Sequence, residues 1–128
     1  MISRIWRGWT SQANADAYQT LLQEKILPGI AARRIGGYAG AHLLRRDLES
    51  EVEFVTILWF ASMGSVRAFA GEEHELAVVP PEARALLSRF DARSAHYRTV
   101  LTPDNATADQ REASEPPPDS AADPSSRR

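Results

Sequence analysis

The chain has 128 residues, of which 43% are hydrophobic, and a formal net charge of −2 at pH 7. This length fits a single domain, and the apolar share is sufficient for a packed core. Cysteine is absent, which excludes a disulfide framework, a thiolate zinc site and a cysteine nucleophile. No apolar run reaches the roughly 18 residues that a membrane-spanning helix needs. The chain begins directly with a strand pattern instead of a signal segment, so we expect a cytoplasmic protein.

The end of the chain differs in composition from the rest. Pro, Ser, Ala and Asp dominate after Leu101, which is the last large apolar residue. Such a segment cannot bury enough apolar surface to offset the entropy lost on ordering. We therefore predict a folded domain over residues 1–101 and a disordered tail over residues 102–128. Because the tail carries the excess of acids, the domain is near neutral, which argues against a nucleic-acid-binding face.

The first half of the domain contains a strand and a helix. A strand is predicted over Ile2–Thr10, and Ser11 is a good N-cap for the helix that follows, with apolar side chains at helical spacing. Leu27-Pro28 should kink or break this helix. The pair Gly36-Gly37 then marks a turn into the next strand.

The remaining strands and helices complete an order of elements that recurs in many α+β proteins. Two strands joined by a tight turn form an antiparallel hairpin, followed by a helix, a short helix and a last strand. These are predicted over Tyr38–Leu48, Glu51–Phe60, Met63–Ala70, Glu82–Ser88 and Phe90–Leu101. The order βαββαβ predicts an α+β, ferredoxin-like fold with a four-stranded antiparallel sheet.

The residue pattern of the third strand, Glu51–Phe60, indicates that a second copy of the chain packs on the sheet. Its even-numbered side chains are apolar from the start, so we assign that face to the helices. On the odd face, Val55, Ile57 and Trp59 would lie open in a single chain, which soluble monomers seldom allow. Two such sheets packed face to face would bury these residues, which predicts a homodimer built as a dimeric α/β barrel. The alternative is that the tail or the loop over residues 71–81 covers this face.

The sequence resembles a known family. Pro28-Gly29 near the end of the first helix, Gly37-Tyr38 at the start of the second strand, and the stretch Leu58–Ser62 resemble the antibiotic biosynthesis monooxygenase superfamily over residues 1–101. The resemblance implies a dimeric α+β barrel with a pocket between the helices and the sheet of each protomer. Some members oxidise polycyclic aromatic substrates with O₂ and no metal or prosthetic group, others bind and degrade haem, and many have no known activity.

Family positions argue against haem degradation. The Asn, Trp and His of the haem-degrading branch correspond to Arg7, Phe69 and a position near Val79, and none of them matches. The quinone-forming branch often has Trp and Asn where this chain has Phe60 and Thr56. The three histidines lie on separate elements without a metal-ligand spacing, so we expect neither a metal nor a cofactor.

Cofactor-free oxygenation needs a group that holds a phenolate-like anion and an apolar pocket that excludes water. Arg7 and His74 are the candidate catalytic residues, although the acidic neighbours of His74 also fit a solvated surface turn. The candidate substrate-binding residues are Trp9, Tyr38, His42, Thr56, Phe60 and Phe69.

Two arginines of the first strand, Arg4 and Arg7, should lie on opposite faces, so one of them should approach the pocket or the barrel interior. A buried arginine needs an anionic partner. Glu53 could supply it, and this structural pairing is the alternative to substrate binding.

Together these features favour a cofactor-independent, monooxygenase-like protein that oxidises a small aromatic or polyketide-like compound with O₂. The alternative is a non-catalytic ligand-binding or stress-related protein on the same scaffold, because a fold alone does not decide function. The expected partners are a small apolar or aromatic molecule and a second copy of the chain, with neither nucleic acid nor membrane.

Overall fold

The computed structural model describes residues 1–103. Ile2–Tyr97 form one compact unit. Among the described residues, Met1 and residues 98–103 belong to a second unit, in which the Thr99 amide donates to the Met1 carbonyl at 2.9 Å. Residues 104–128, nearly all of the predicted tail, lie outside the described residues. In chain order the elements are β1 (Ile2–Ser11), α1 (Gln12–Leu21), a π-helical turn (Leu22–Ile26), α2 (Leu27–Ala32), β2 (Tyr38–Asp47), β3 (Glu51–Phe60), α3 (Met63–Ala70), α4 (Pro81–Leu86), β4 (Leu87–Phe90) and β5 (Ala95–Arg98).

The strands form one antiparallel sheet in the order β2-β3-β1-β4, and β5 also pairs with β1. The predicted α+β, ferredoxin-like fold is confirmed, but the sheet has five strands and not four. The predicted last strand, Phe90–Leu101, was wrong as a continuous element. Its middle part turns away from β1 and pairs with the loop after α3, where the Ala77 amide donates to the Ala92 carbonyl at 2.9 Å and the Ser94 amide to the Glu75 carbonyl at 2.7 Å.

The first helix begins and ends for local reasons. The Ser11 hydroxyl accepts from the Asn14 amide at 3.2 Å, as its predicted capping role requires. The expected break at Leu27-Pro28 takes the form of the π-helical turn just before it, after which the chain continues as α2. Pro28 lies directly after the π-helical turn, and it has no amide hydrogen to donate to this continuous helix.

The predicted faces of β3 are confirmed. All five even-numbered residues are buried, whereas Val55, Ile57 and Trp59 are only half-buried. On the even face Phe54 packs edge-on against Tyr18 of α1, with ring centroids 4.9 Å apart. The helices therefore cover one face of the sheet, and this face carries the core.

One glycine fixes the entry into β2. Gly37 has a φ of +87°, and a Cβ added there would lie 2.1 Å from the Ser65 hydroxyl. Its carbonyl accepts from the Ala61 amide at 2.7 Å. Only glycine combines this backbone angle with this close approach, so the predicted turn before Tyr38 also brings the end of β3 and the start of α3 against β2.

Candidate functional site

A cavity lies between the helices and the even face of the sheet. Its volume is about 60 Å³, and it is partly open to solvent. By this measure a water molecule needs roughly 10–15 Å³, so the cavity holds roughly four to six water-sized groups, about the size of a single ring. Its floor is formed by β1 and β3 through Arg4, Trp6, Thr56 and Leu58.

The helical walls are largely apolar. Tyr18 comes from α1, Leu22 and Ile26 from the π-helical turn, and Phe69 and Ala83 from α3 and α4. A π-helical turn widens the helix locally and is common at functional sites. Here it places two large aliphatic side chains, four residues apart, along one side of the cavity. The remaining lining residues are Leu27, Ile30, Val78, Val79, Pro80 and Ser94.

Arg4 is the charged residue of the cavity lining. It points to the helix side from β1 and is only 3% exposed. Its Nη1 donates to the His74 carbonyl and lies 2.9 Å from Nε2 of His96, and its Nη2 donates to the Leu76 carbonyl at 3.1 Å. Its guanidinium carbon lies 5.4 Å from the centre of the Phe69 ring, within range of a cation–π contact. Arg4 thereby fastens the loop after α3 to the edge of the cavity.

No carboxylate of residues 1–103 forms an ion pair with Arg4. The predicted partner, Glu53, instead accepts two hydrogen bonds from Arg46, at 2.6 and 2.9 Å, on the opposite face of the sheet. The predicted pairing of a β1 arginine with Glu53 was therefore wrong, because the buried arginine and Glu53 point to different faces. Burial lowers the pKa of Arg4 to about 10, which still leaves it protonated at neutral pH.

A histidine pair lies beside Arg4. The ring centroids of His74 and His96 are 5.5 Å apart, and the ring planes are inclined at 61°. Burial, and then the charge of Arg4 and the neighbouring His74, lower the pKa of His96. A neutral His96 suits the contact, because its Nε2 then accepts a hydrogen bond from the guanidinium.

Three hydroxyl groups complete the polar part of the cavity lining. Tyr18, Thr56 and Ser94 are all buried, at 1%, 8% and 6% exposure. Burial raises the pKa of Tyr18, so its phenol is a neutral donor at pH 7. A mostly apolar cavity with a few polar groups is typical of small-molecule sites.

Two of the predicted substrate-binding residues, Thr56 and Phe69, line this cavity. Phe60 lies in the core against Phe69, with ring centroids 5.6 Å apart, and Tyr38 packs on Phe60 at the same distance. The predicted catalytic residue His74 is not among the cavity-lining residues, but its backbone carbonyl accepts a hydrogen bond from Arg4, which is one of them.

The other predicted site residues lie on the opposite face of the sheet. Arg7 is exposed there and forms an ion pair with Asp91 at 3.0 Å. Trp9, only 7% exposed, lies under Arg89, whose guanidinium carbon is 3.9 Å from the ring centre. His42 is exposed and contacts Trp59 edge-on at 4.7 Å.

Sequence reasoning did not assign Arg4, Tyr18 or Ser94 to the site. The pairing of Arg4 with Leu58 and of Trp6 with Thr56 in the β1–β3 register places Arg4 on the helix side. Knowledge of this register would have identified Arg4, because the helix-facing side of β3 had already been predicted from the sequence. Ser94 comes from the part of the chain that was predicted to lie within a continuous strand.

The described residues contain neither a candidate metal-binding cluster nor a candidate membrane-spanning helix. In residues 1–103 no group of three or more His, Asp or Glu side chains is placed to hold a metal ion. None of the helices in that part of the chain combines the length and apolar character needed to cross a membrane.

Comparison of the sequence with protein-family models finds no match, and comparison with curated proteins finds none either. Comparison with solved structures finds eight matching chains. One is the crystal structure of a Bacillus cereus protein with the provisional name antibiotic biosynthesis monooxygenase, which is 14% identical with a TM-score of 0.53. The match covers 76% of this chain and 89% of the other. At this identity the match shows a shared fold.

Proposed function

We propose that this protein binds a small, flat aromatic or polyketide-like compound in the cavity and oxidises it with O₂ without a cofactor. The observation that carries the proposal is an apolar cavity, about the size of a ring, whose charged lining residue is the buried cation Arg4. The fold shared with a provisionally named monooxygenase is consistent with this proposal.

The chemistry requires little from the protein. A methylene group flanked by aromatic rings loses a proton to give a delocalised anion, which transfers electrons to O₂. One oxygen atom becomes a new carbonyl and the other leaves as water, so the carbon loses the four electrons that O₂ gains. Stabilising the anion beside a buried cation in a largely apolar site lowers the barrier to its formation. Arg4 has the charge and the burial for this role, which the sequence analysis had given to Arg7.

The cavity can be tested by filling it. Ala83 is buried in α4 and lines the cavity, whereas Ala85 of the same helix is exposed. A hydroxyanthrone has three fused rings, so we expect one ring to enter the cavity and the others to lie at its open side. Oxygen uptake with this compound should exceed the protein-free rate for the wild type and for Ala85→Leu. It should fall to the protein-free rate for Ala83→Leu. Uptake that is unaffected by Ala83→Leu would remove the cavity from the reaction.

A second candidate function is ligand binding without catalysis. One observation favours it: none of the cavity-lining residues in the described part of the chain is a His, Asp or Glu that could take the substrate proton. Under this alternative the hydroxyanthrone quenches tryptophan fluorescence in the wild type, Ala83→Leu abolishes the quenching, and oxygen uptake never exceeds the protein-free rate.

We further propose that the protein is a cytoplasmic homodimer. In the β1–β3 and β2–β3 registers, Ile5, Leu44, Val55, Ile57 and Trp59 share one face, which we call the open face. Leu44 is 49% exposed and the other four are half-buried. A second copy packed on the open face would bury a contiguous apolar surface.

A further inference from the structure

We propose that the ligand of this cavity carries an acidic group, a carboxylate or an ionised phenol, which binds as an anion to Arg4. This inference rests on the proposed function only in that the cavity binds a ligand. It names the chemical class of that ligand and the residue that selects it.

The first observation that supports this inference is the charge of the buried Arg4 guanidinium, which no carboxylate of residues 1–103 balances. Arg4 is 3% exposed, and its hydrogen-bond partners within residues 1–103 are two backbone carbonyls and one imidazole nitrogen. These acceptors carry partial charges only. A buried ion that lacks an ion of opposite charge is costly, and the cost falls when an anion joins it. Across residues 1–103 no Asp or Glu fills this position.

The second support is the count of hydrogen-bond donors. A guanidinium has five N–H groups. The Nη1 atom uses two of them, on His74 and His96, and Nη2 uses one on Leu76. The Nε–H and one Nη2–H remain without an acceptor in the described part of the chain. A carboxylate is the partner that accepts two such hydrogen bonds at once.

The third support is the surroundings of Arg4. Phe69 flanks the guanidinium, and the rest of the lining is aliphatic or aromatic apart from three hydroxyl groups. The neutral phenol of Tyr18 can donate a second hydrogen bond to an anion but cannot neutralise it. In such a low-dielectric site an ion pair is stronger than in water. The cavity therefore fits an aromatic acid better than a neutral molecule of the same shape.

The test compares two single-ring probes of nearly equal size. Benzoate and benzamide differ in charge, and calorimetric titration at neutral pH gives the Kd of each. Since hydrogen bonds to a charged group are stronger than those between neutral groups, we expect benzoate to bind at least about tenfold more tightly. Arg4→Met should abolish this preference. Arg7→Met, which removes an exposed arginine of the same strand, should keep it.

A second variant distinguishes loss of the anion-binding group from loss of the fold, since either would abolish the preference in Arg4→Met. Arg4→Lys retains the charge but not the planar fork. It should keep part of the preference for benzoate, with a weaker Kd. Equal affinity of the wild type for both probes, no saturable binding of benzoate, or a preference that disappears in Arg7→Met would each overturn the inference. An Arg4-dependent preference without any oxygen uptake would uphold it while refuting oxygenation.

Discussion

Thr10 offers a sharp test of the buried part of the sheet. This β1 residue is fully buried, at 0% exposure, and in the sheet it pairs with Val52 of β3 and Leu87 of β4. Its hydroxyl oxygen is sealed from solvent and has no hydrogen-bond partner among residues 1–103. The side chain thus has the volume of an apolar residue but carries a polar group that gains nothing from the fold. Thr10→Val replaces this hydroxyl with a methyl group of similar shape.

The expected gain follows from the cost of an unsatisfied polar group. A buried donor or acceptor without a partner costs about 1–3 kcal/mol. Valine removes that cost, fills the same space and favours the strand. We expect the free energy of unfolding to rise by about 1–2 kcal/mol. For a domain of this size each kcal/mol corresponds to about 4–8 °C in Tm.

Urea unfolding followed by tryptophan fluorescence measures this change. The midpoint should rise while the m-value stays the same, since the surface exposed on unfolding hardly changes. Thr56→Val is the matched control, because Thr56 is also buried in the sheet but borders the cavity. We expect a smaller gain there. A clear loss of stability in Thr10→Val would refute the reasoning, because it would mean that the hydroxyl has a favourable partner.

Two further predictions concern the open face and the histidine beside Arg4. Trp59→Glu places a charge on the open face and should convert the proposed dimer into a monomer, as measured by sedimentation. Gln23→Glu, at an exposed helical position, should leave the dimer intact. A dimer that persists in Trp59→Glu would count against the proposed interface. The pKa of His96 lies below its ordinary value of 6.5 because of burial and then the charges of Arg4 and His74, with Glu75 opposing. The unfolded chain therefore takes up this proton first, so stability is lost as pH falls below about 6.5. In urea unfolding, His96→Gln should reduce this loss of stability at low pH, while His42→Gln, at an exposed position, should keep it. If the free energy of unfolding falls equally with pH in both variants, His96 is not the group responsible.

Patterns that are local in sequence predicted most of the fold. The third strand was predicted with the bounds that the structure has, Glu51–Phe60, because its β-branched and aromatic run has a sharp start and end. The helix start after Ser11 depends on one side chain and an amide three residues later. The bounds of α3, Met63–Ala70, were also predicted. Each of these features is determined within a few residues.

Features that depend on distant contacts could not be predicted in the same way. The break in the last strand occurs because its middle part pairs with the loop after α3, where Leu76 and Arg93 form an isolated bridge. Nothing in the sequence near Arg93 indicates that partner. The strand propensity of the segment was real, but a tertiary contact overrode it.

The site was harder to predict than the fold because β1 has two nearly equivalent faces. Its helix-facing side carries Ile2, Arg4 and Trp6, and its other side carries Ile5, Arg7 and Trp9. Each side carries one isoleucine, one arginine and one tryptophan, so composition does not distinguish the two sides. A shift of one residue exchanges the two sides completely. Only the pairing of β1 with β3 decides which arginine reaches the cavity.

The two arginines also differ in what their charges can do. Arg7 is exposed and paired with Asp91, and exposed ion pairs of this kind contribute only about 0–1 kcal/mol because water screens them. Arg4 is buried beside the cavity without a carboxylate in the described residues, so its interaction with an anionic ligand would be screened far less. Two of its N–H groups have no acceptor within residues 1–103, so an anion could bind without displacing the carbonyls of His74 and Leu76. Ligand binding and the anchoring of the loop are therefore compatible on one guanidinium, and its position is what distinguishes Arg4 from Arg7 as the proposed anion-binding residue.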